Sequence, residues 1–425
     1  MTTPQITVTF DPPLSTDSGA VFDEKAFDTV GKLNPWGGQA NSIADFANEK
    51  VAEVAATALS GDLPDMTGQA GMVIGVNDAE DAATFYPLRK PKNHIINGEP
   101  LVRQRLASGT FTGSGYGLAD RRLYLNNGST KVASIEDFTL GQTDVAGNPR
   151  VYSRTVVTSV AGTGNYVKDE YLIPDVRSFA GSTITTHFNG KADAARNVSI
   201  SMRQHFGTGG SADVDIAPQK IGLTTAWDHN ALTFDIPSIS GKVHGTPSES
   251  YLAVTIWYDA GSNFNALTDN LGQQSGTFDI ADLAIHAGDT TALVDYFDRH
   301  ATYEDALWDC LPFYQKSYNR EDTPGLQAVA GNASINLNSD IGAIGRFAAN
   351  VSWSRPLRAS PAMVLYPGRS DVAAVAGQVA QYNGSSTSWV ASAFAGERGM
   401  THYITIANNW DQISLNYTVD AEITP

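Results

Sequence analysis

Hydrophobic and polar positions alternate in short runs over most of the chain. From about residue 93 to residue 317, apolar side chains recur at every second position, in runs separated by Gly, Asn, Asp and Ser. Runs with this period predict half-buried β-strands, and many short strands at regular spacing predict a β-sandwich or jelly roll. The clearest predicted strands span residues 182–188, 197–203, 232–236, 251–258 and 276–285.

A helical pattern interrupts the strands at residues 303–310. Pro312 ends it, because proline lacks the amide hydrogen that a helix needs. Cys310 lies inside this helix beside Leu307 and Leu311, so we expect a buried structural thiol and not a nucleophile. A third, β-rich unit is predicted from residue 319 to residue 425, with strands near 344–353, 362–366, 375–382, 388–394, 402–406 and 413–419.

The first 60 residues have the period of a helix. One apolar stripe consists of Phe22, Ala26, Val30 and Leu33, and a second of Ile43, Ala47, Val51, Val54 and Ala58. Such narrow stripes do not stabilise isolated helices in water, so each helix needs a partner. The pattern is consistent with two helices packed on each other and equally with copies packed in an oligomer. Glycine-rich residues 61–92 then predict short strands and turns, too few to hold a core.

The charge balance excludes several classes of protein. The 425 residues include 28 Lys and Arg against 45 Asp and Glu, a net charge of −17, and a single cysteine. A surface this acidic repels phosphate backbones, so nucleic acid is not an expected partner. One cysteine allows neither a disulfide within the chain nor a cysteine-based metal site. Neither a signal peptide nor a run of 18 apolar residues is visible, so we expect synthesis in a cytoplasm without membrane insertion.

Sequence motifs for catalysis or metal binding are weak. The eight histidines form no HxH, HxxxH or HExxH pair, and glycine-rich residues 206–211 lack the Lys-Ser/Thr of a phosphate-binding loop. A tight turn between strands is the expected use of that stretch. Three pairs of carboxylates could serve as the catalytic pair of a glycosidase or as ligands of a structural Ca²⁺. No complete set of Ca²⁺ ligands stands out. The pairs are Asp213 and Asp215, Asp279 and Asp282, and Asp295 and Asp298.

The outward faces of three predicted strands suggest a sugar-binding surface. If the strands at 182–188, 197–203 and 251–258 are neighbours, their apolar positions share one side of a sheet. The opposite side then carries the candidate carbohydrate-binding residues His187, Arg203, Tyr251 and Trp257. A tryptophan flanked by hydrogen-bonding groups suits a sugar ring, which stacks its apolar C–H face on the indole. The alternative is that this face packs on a neighbouring subunit.

Three parts of the chain resemble bacteriophage tail fibres and receptor-binding proteins. The amino-terminal part does so at residues 13–34, 36–41 and 62–85, and the carboxy-terminal part at an arginine-proline stretch, 356–361. The middle part resembles the carbohydrate-binding-module-like jelly roll of these fibres at residues 93–98, Gln104, Arg105, Tyr116, Gly117, Asp120, Arg121, 206–212, Trp227, 234–241, 276–280, Arg299, Glu304, Leu307, Cys310, Phe313 and Tyr314. The sequence departs from the family pattern at Arg122, Ala284 and His286.

The resemblance implies a mainly β protein in four parts. Residues 1–60 would form a helical segment for virion attachment and trimerisation, and residues 61–92 a glycine-rich linker. Residues 93–318 would form the jelly roll, and residues 319–425 a C-terminal β-sandwich-like domain that is a candidate receptor-binding tip. The implied function is adsorption to host-surface glycans by a non-catalytic homotrimeric fibre. This fibre would be made in the host cytoplasm and carried on the virion.

Two other functions stay open at this point. One is a tailspike that depolymerises polysaccharide, although the repeats of the long parallel β-helix usual in such enzymes are not found here. The other is a structural decoration such as a head fibre or collar protein. The resemblance assigns no catalytic residue and no certain cofactor, and only a structural Ca²⁺ is left open.

Overall fold

The computed structural model divides the chain into two compact units, Met1–Arg89 and Lys90–Pro425. It describes residues 18–19, 25, 41–51, 72–76, 83–87, 92–293, 299–300, 302–326, 333–336, 345–382, 386–390, 392–406 and 412–424. Among these residues, no helix has the length and apolar character needed to cross a membrane.

In the first unit, residues 41–51 form helix α1, and strands β1 (Met72–Val76) and β2 (Ala83–Pro87) form an antiparallel hairpin. Of the second predicted apolar stripe, Ile43, Ala47 and Val51 lie on α1, and Val51 is 68% exposed. The rest of that stripe and all four residues of the first stripe lie outside the described residues.

Two antiparallel sheets form the jelly roll of the second unit. Sheet I has the spatial order β10 (Val214–Leu223), β9 (Arg196–His205), β12 (Tyr251–Ala260), β7 (Tyr166–Pro174), β4 (Leu123–Asn127) and β3 (Gly115–Tyr116). Sheet II has the order β11 (Asp228–Asp235), β8 (Thr183–Ala192), β13 (Gly276–Ala287), β6 (Val151–Thr158) and β5 (Thr130–Asp137). From β4 to β13 the chain passes repeatedly from one sheet to the other, and this confirms the predicted jelly roll.

The core lies between the two sheets and follows the alternation in the sequence. On β12, Leu252, Val254 and Ile256 point inward and are fully buried. Phe188 of β8 and Phe278 of β13 face them from sheet II. Each of these strands therefore has an apolar face toward the core and a second face directed outward.

Tight turns join the strands where glycine permits an unusual backbone. Residues 206–211 form the expected turn between β9 and β10. Gly207 has φ of +78°, and a Cβ there would lie 2.3 Å from the carbonyl oxygen of Thr246. Any side chain at this position would therefore strain the turn.

A single-turn helix, α2 (Asn265–Thr268), follows β12, and the chain leaves the jelly roll through helix α3 (Tyr303–Cys310), which has the predicted bounds. Thr302 accepts a hydrogen bond from the Asp305 amide, and Asp305 accepts one from the Thr302 amide, so a capping box begins the helix. Cys310 is buried, and burial raises the pKa of its thiol well above the usual value, as expected for a structural residue.

The C-terminal domain is a second β-sandwich. One sheet is centred on β22 (Gln412–Asp420), which pairs with β14 (Tyr314–Lys316), β15 (Ala333–Asn336), β17 (Ala362–Pro367) and β18 (Gln378–Tyr382), and β18 pairs with β19 (Ser386–Val390). The other sheet has the order β16 (Gly345–Ser352), β21 (Gly399–Ile406) and β20 (Ser392–Gly396). Trp353, Met400 and Leu415 belong to the apolar core of this domain.

Candidate functional site

The structure brings together some of the candidate carbohydrate-binding residues and separates one of them. Strands β9 and β12 are neighbours in sheet I, with Arg203 opposite Ala253 and His205 opposite Tyr251. Strand β8, which carries His187, lies in sheet II between β11 and β13. The predicted adjacency is therefore correct for two strands and wrong for the third. Period-2 alternation shows that a strand has two faces but not which sheet it joins.

Trp257 points outward from sheet I, but other side chains cover it, and it is only 3% exposed. Its indole N–H donates a hydrogen bond to Ser201 Oγ at 2.8 Å. The Lys168 ammonium lies 4.7 Å from one indole ring centroid, and the rings of Tyr166 and Phe264 pack at 5.9 and 5.3 Å. In this conformation the indole has no face available for a sugar ring.

The end of the chain covers Tyr251, which is 4% exposed. Ile423 packs in one apolar cluster with Leu123, Leu172, Tyr251 and Ala253, all on the outer face of sheet I. The Tyr116 hydroxyl donates a hydrogen bond to the Ile423 carbonyl at 2.9 Å. Burial is the largest cause that raises the pKa of Tyr251, to about 12. The chain end therefore covers the predicted binding face at Tyr251, whereas side chains of the jelly roll itself cover Trp257.

Ion pairs hold the chain end on sheet I. Arg121 pairs with Glu422, and the Arg105 guanidinium lies 2.9 Å from Asp420 and 3.4 Å from Glu422. Arg105 also lies 3.8 Å from Asp120, and burial raises the pKa of the Asp120 carboxyl to about 6. The arginine side chains are almost fully buried, so these charges are well shielded from water.

Arg203 remains partly accessible, with 39% of its side chain exposed. Its guanidinium lies 2.7 Å from Asp215 and 3.8 Å from Asp213, and His205 also contacts Asp213 at 2.8 Å. The first carboxylate pair therefore contacts Arg203 and His205 at the edge of sheet I.

His187 lies on the outer face of sheet II beside two other imidazoles. Its ring centroid is 5.4 Å from that of His229 and 5.1 Å from that of His286. Its Nε2 lies 2.8 Å from Thr290 Oγ1. Burial, and then repulsion from the two neighbouring histidines, lowers the pKa of His187 to about 3. The ring is therefore neutral near pH 7.

The second carboxylate pair is also bound to arginines. Asp279 accepts hydrogen bonds from Arg154 at 2.8 and 2.9 Å, and Asp282 accepts two from Arg299, both at 2.6 Å. The third pair, at residues 295 and 298, lies outside the described residues. Among the described residues, no group of three His, Cys, Asp or Glu side chains is arranged to hold a metal ion.

Sequence reasoning missed an aromatic patch on the outer face of sheet II, consisting of Phe138, Tyr152 and Trp227. The three ring centroids lie 4.8 to 5.3 Å from one another, and all three side chains are partly exposed. Tyr152 comes from β6, Phe138 follows β5, and Trp227 directly precedes β11. The alternation in 151–158 would have placed Tyr152 and Arg154 on the outward side of a strand, and this is the signal that the sequence contained.

A row of charged side chains crosses the sheet beside the aromatic patch. Arg154 of β6 lies opposite Asp279 of β13, which lies opposite Lys191 of β8. The Lys191 ammonium is 4.8 Å from the Trp227 ring centroid, and an Arg154 N–H donates to the Tyr152 hydroxyl at 3.3 Å. Arg154 and Lys191 are 34% and 28% exposed, so both can reach a ligand on the patch.

These elements provide the two features that recognise a sugar. Partly exposed aromatic rings offer an apolar surface for the C–H face of a pyranose, and the neighbouring N–H and O–H groups can bond its hydroxyls. The polar groups are held in place by the Arg154–Asp279 pair, so they lose little freedom when a ligand binds.

No protein-family model matches the sequence, and no curated protein matches it. Among solved structures, the chain is similar to the family 11 carbohydrate-binding module from Clostridium thermocellum in complex with a β-1,3-1,4-mixed-linked tetrasaccharide. The identity is 12%, the TM-score is 0.27, and the match covers 43% of this chain and 96% of the module.

Two further solved structures match this chain with similarly low sequence identities and TM-scores. The xylan-binding domain CBM22-1 from Paenibacillus barcinonensis Xyn10C matches at 10% identity and a TM-score of 0.24, over 43% of this chain and 96% of that domain. The enzymatically active domain of tailspike protein 4 from bacteriophage CBA120 matches at 10% identity and a TM-score of 0.26, over 46% of this chain and 21% of that protein. Similarity at these levels concerns the β-sandwich alone and does not extend to ligands.

Proposed function

We propose that this chain is a non-catalytic glycan-binding protein and that the aromatic patch on sheet II holds the sugar. The observation that carries the proposal is the cluster of three partly exposed rings beside Arg154 and Lys191. The face that the sequence favoured, with Tyr251 and Trp257, is covered in the folded chain.

The experiment compares two tryptophans. Trp227→Ala removes the largest ring of the aromatic patch, whereas Trp308→Ala removes a 54% exposed tryptophan from α3 and is the matched control. Binding of the full chain to glucose-, mannose- and galactose-based oligosaccharides is measured by a glycan array and then by calorimetry. We expect Trp227→Ala to weaken the best ligand at least tenfold, about 1.4 kcal/mol, because an aromatic anchor is lost. Equal binding by both variants would reject the patch as the site.

Support for a non-catalytic role comes from the carboxylate pairs. Asp213, Asp215, Asp279 and Asp282 each face an arginine, so none of them is arranged as a free general acid with a partner base. The test is incubation with the polysaccharide that the protein binds, followed by a reducing-end assay. Steady release of new reducing ends would contradict this part of the proposal and favour a depolymerase.

The finer proposal is a homotrimeric phage tail fibre that attaches to the virion through residues 1–60 and adsorbs to host-surface glycans. The tail-fibre resemblance of the sequence supports it, and so does the exposure of Val51 on the apolar stripe of α1. Binding of fluorescently labelled protein to host cells should be lost with Trp227→Ala and kept with Trp308→Ala. Binding that neither variant changes would favour a structural decoration or another receptor site.

A further inference from the structure

A cavity of about 340 Å³ lies where the segment after Leu101 meets the start of α3 and the turn that follows β14. It is lined by Leu101, Arg103, Ala107, Tyr303, Arg320 and Glu321. This volume falls within the range of about 300 to 1,000 Å³ that is typical of small-ligand sites. The cavity is separate from the aromatic patch and shares no residue with it.

The walls of the cavity are held in place by hydrogen bonds. The Lys316 ammonium donates to the Arg320 carbonyl at 3.2 Å and also to the Asp322 carbonyl. The Ala107 amide donates to Thr323 Oγ1 at 3.4 Å, which ties the two segments together. Because these loops are fixed to each other, a ligand would not need to order them on binding.

Tyr303 forms a rigid base for one of the arginines. It packs against the buried cluster of Val102, Ala306 and Cys310. The Arg320 guanidinium carbon stacks 3.5 Å from its ring centroid. Stacking on a ring occupies the flat face of a guanidinium and leaves its N–H edge available for hydrogen bonds. Burial raises the pKa of Tyr303 to about 12, so its hydroxyl stays a neutral donor.

Arg103 and Arg320, like Arg358 and Arg398, lack the ion pair that most of the described arginines form. Within the described part of the chain, the ion pairs join Arg105, Arg121, Arg122, Arg150, Arg154, Arg177, Arg196, Arg203, Arg299, Arg355 and Arg369 to carboxylates. No described carboxylate lies within ion-pair distance of Arg103 or Arg320. The cavity therefore brings together two guanidinium groups that form no ion pair with a described carboxylate, although Glu321 also lines it.

We infer that this cavity binds an acidic saccharide unit, with Arg103 and Arg320 holding its carboxylate or phosphate group. Guanidinium groups match the planar oxygen pairs of carboxylates and phosphates and form charge-assisted hydrogen bonds with them. Leu101 and Ala107 provide apolar wall for the ring, and Glu321 can accept bonds from its hydroxyls. The net charge of −17 disfavours a dense polyanion, so a sugar with sparse charge fits better than a nucleic acid.

The test uses the full chain and three probes in calorimetry. Trigalacturonate carries carboxylates, glucose 6-phosphate carries a phosphate, and maltotriose is neutral. We expect at least one acidic probe to bind and maltotriose not to use this site. Arg103→Gln and Arg320→Gln should each weaken the acidic probe about tenfold, because each removes a hydrogen bond to a charged group. Arg177→Gln, which alters an exposed arginine paired with Asp175, is the control and should bind as the parent does.

A gain-of-affinity variant keeps the test independent of folding. Glu321→Gln removes the negative charge from the cavity and should strengthen binding of the acidic probe severalfold. If Arg103→Gln, Arg320→Gln and Glu321→Gln all leave the affinity unchanged, or if no acidic probe binds, the inference is wrong. Trp227→Ala should not change binding of the acidic probe, so failure of this site and failure of the aromatic patch can be told apart.

Discussion

Arg122 places a positive charge inside the jelly roll, and Asp169 neutralises it. Their side chains are 2% and 0% exposed, and the closest distance between their polar atoms is 2.5 Å. The Tyr258 hydroxyl lies 3.2 Å from the same guanidinium, and the rings of Tyr124 and Tyr171 lie at 5.0 and 5.9 Å. Arg122 is one of the positions at which the sequence departs from the pattern of the tail fibres that it resembles.

Removing one member of the pair should destabilise the jelly roll strongly. Asp169→Asn leaves the Arg122 charge buried without a counter-charge, which typically costs about 3 to 5 kcal/mol. Urea unfolding followed by tryptophan fluorescence measures the loss. The double variant Arg122→Met/Asp169→Leu removes both charges and should recover much of the stability. A single variant within about 0.5 kcal/mol of the parent, the usual effect of a neutral surface change, would contradict this account.

Because the pKa of His187 is lowered, we expect the free energy of unfolding to depend on pH. Its pKa is lowered from 6.5 to about 3 in the folded chain, so the unfolded chain binds the proton more readily. Its contribution is therefore fully present above pH 6.5 and is lost as the pH falls toward 3. The urea midpoint of the parent should fall over this interval more steeply than that of His187→Gln. Parallel pH profiles would show that another group is responsible.

The strands and helix of the jelly roll were largely predictable because their signals are local. The alternation of apolar and polar residues predicted strands β8, β9, β11, β12 and β13. The helical spacing of apolar residues, together with Pro312, predicted α3. Sheet membership was not predictable, because strand pairing joins residues far apart in sequence. The cover over Tyr251 was missed for the same reason: Ile423 lies more than 160 residues further along the chain. Trp227 was noted only because it matches the jelly roll of the tail fibres that the chain resembles. It lies in a turn, where no hydrophobic periodicity predicts the direction of a side chain.

The chain end packs on sheet I as part of one structural element. The variant Ile423→Ala tests how far this contact stabilises both. Ile423→Ala should cost about 2 kcal/mol or more, because a buried apolar side chain is lost from the cluster with Leu172 and Tyr251. Hydrogen exchange should then rise in β12 and in residues 420–424 but not in β11 of the other sheet. Exchange that rises equally in both sheets would indicate general destabilisation and not release of the chain end.

At the scale of the whole molecule, the proposed trimer would raise the apparent affinity of the proposed sugar site. Copies joined through α1 would present several aromatic patches together, and linked sites can exceed the single-site affinity by about 10² to 10⁴. Val51→Asp places a charge on the exposed apolar stripe, so it should convert the proposed trimer into a monomer of 45.3 kDa. Native mass spectrometry measures the state. Binding to a single soluble oligosaccharide should stay unchanged, whereas binding to a glycan-coated surface should fall by at least tenfold.

The contact between the chain end and sheet I also limits which segments of this chain could be exchanged for those of another protein. A genetic exchange that replaced everything after residue 318 would remove Ile423 and Glu422 from a jelly roll that still carried Arg105 and Arg121. The new domain would have to bring a matching tail, or the hybrid would expose an apolar strip and two buried cations to water. We therefore expect hybrids to fold only when the jelly roll and the C-terminal domain are exchanged as one piece, with the junction before residue 90, at the boundary in sequence between the two compact units.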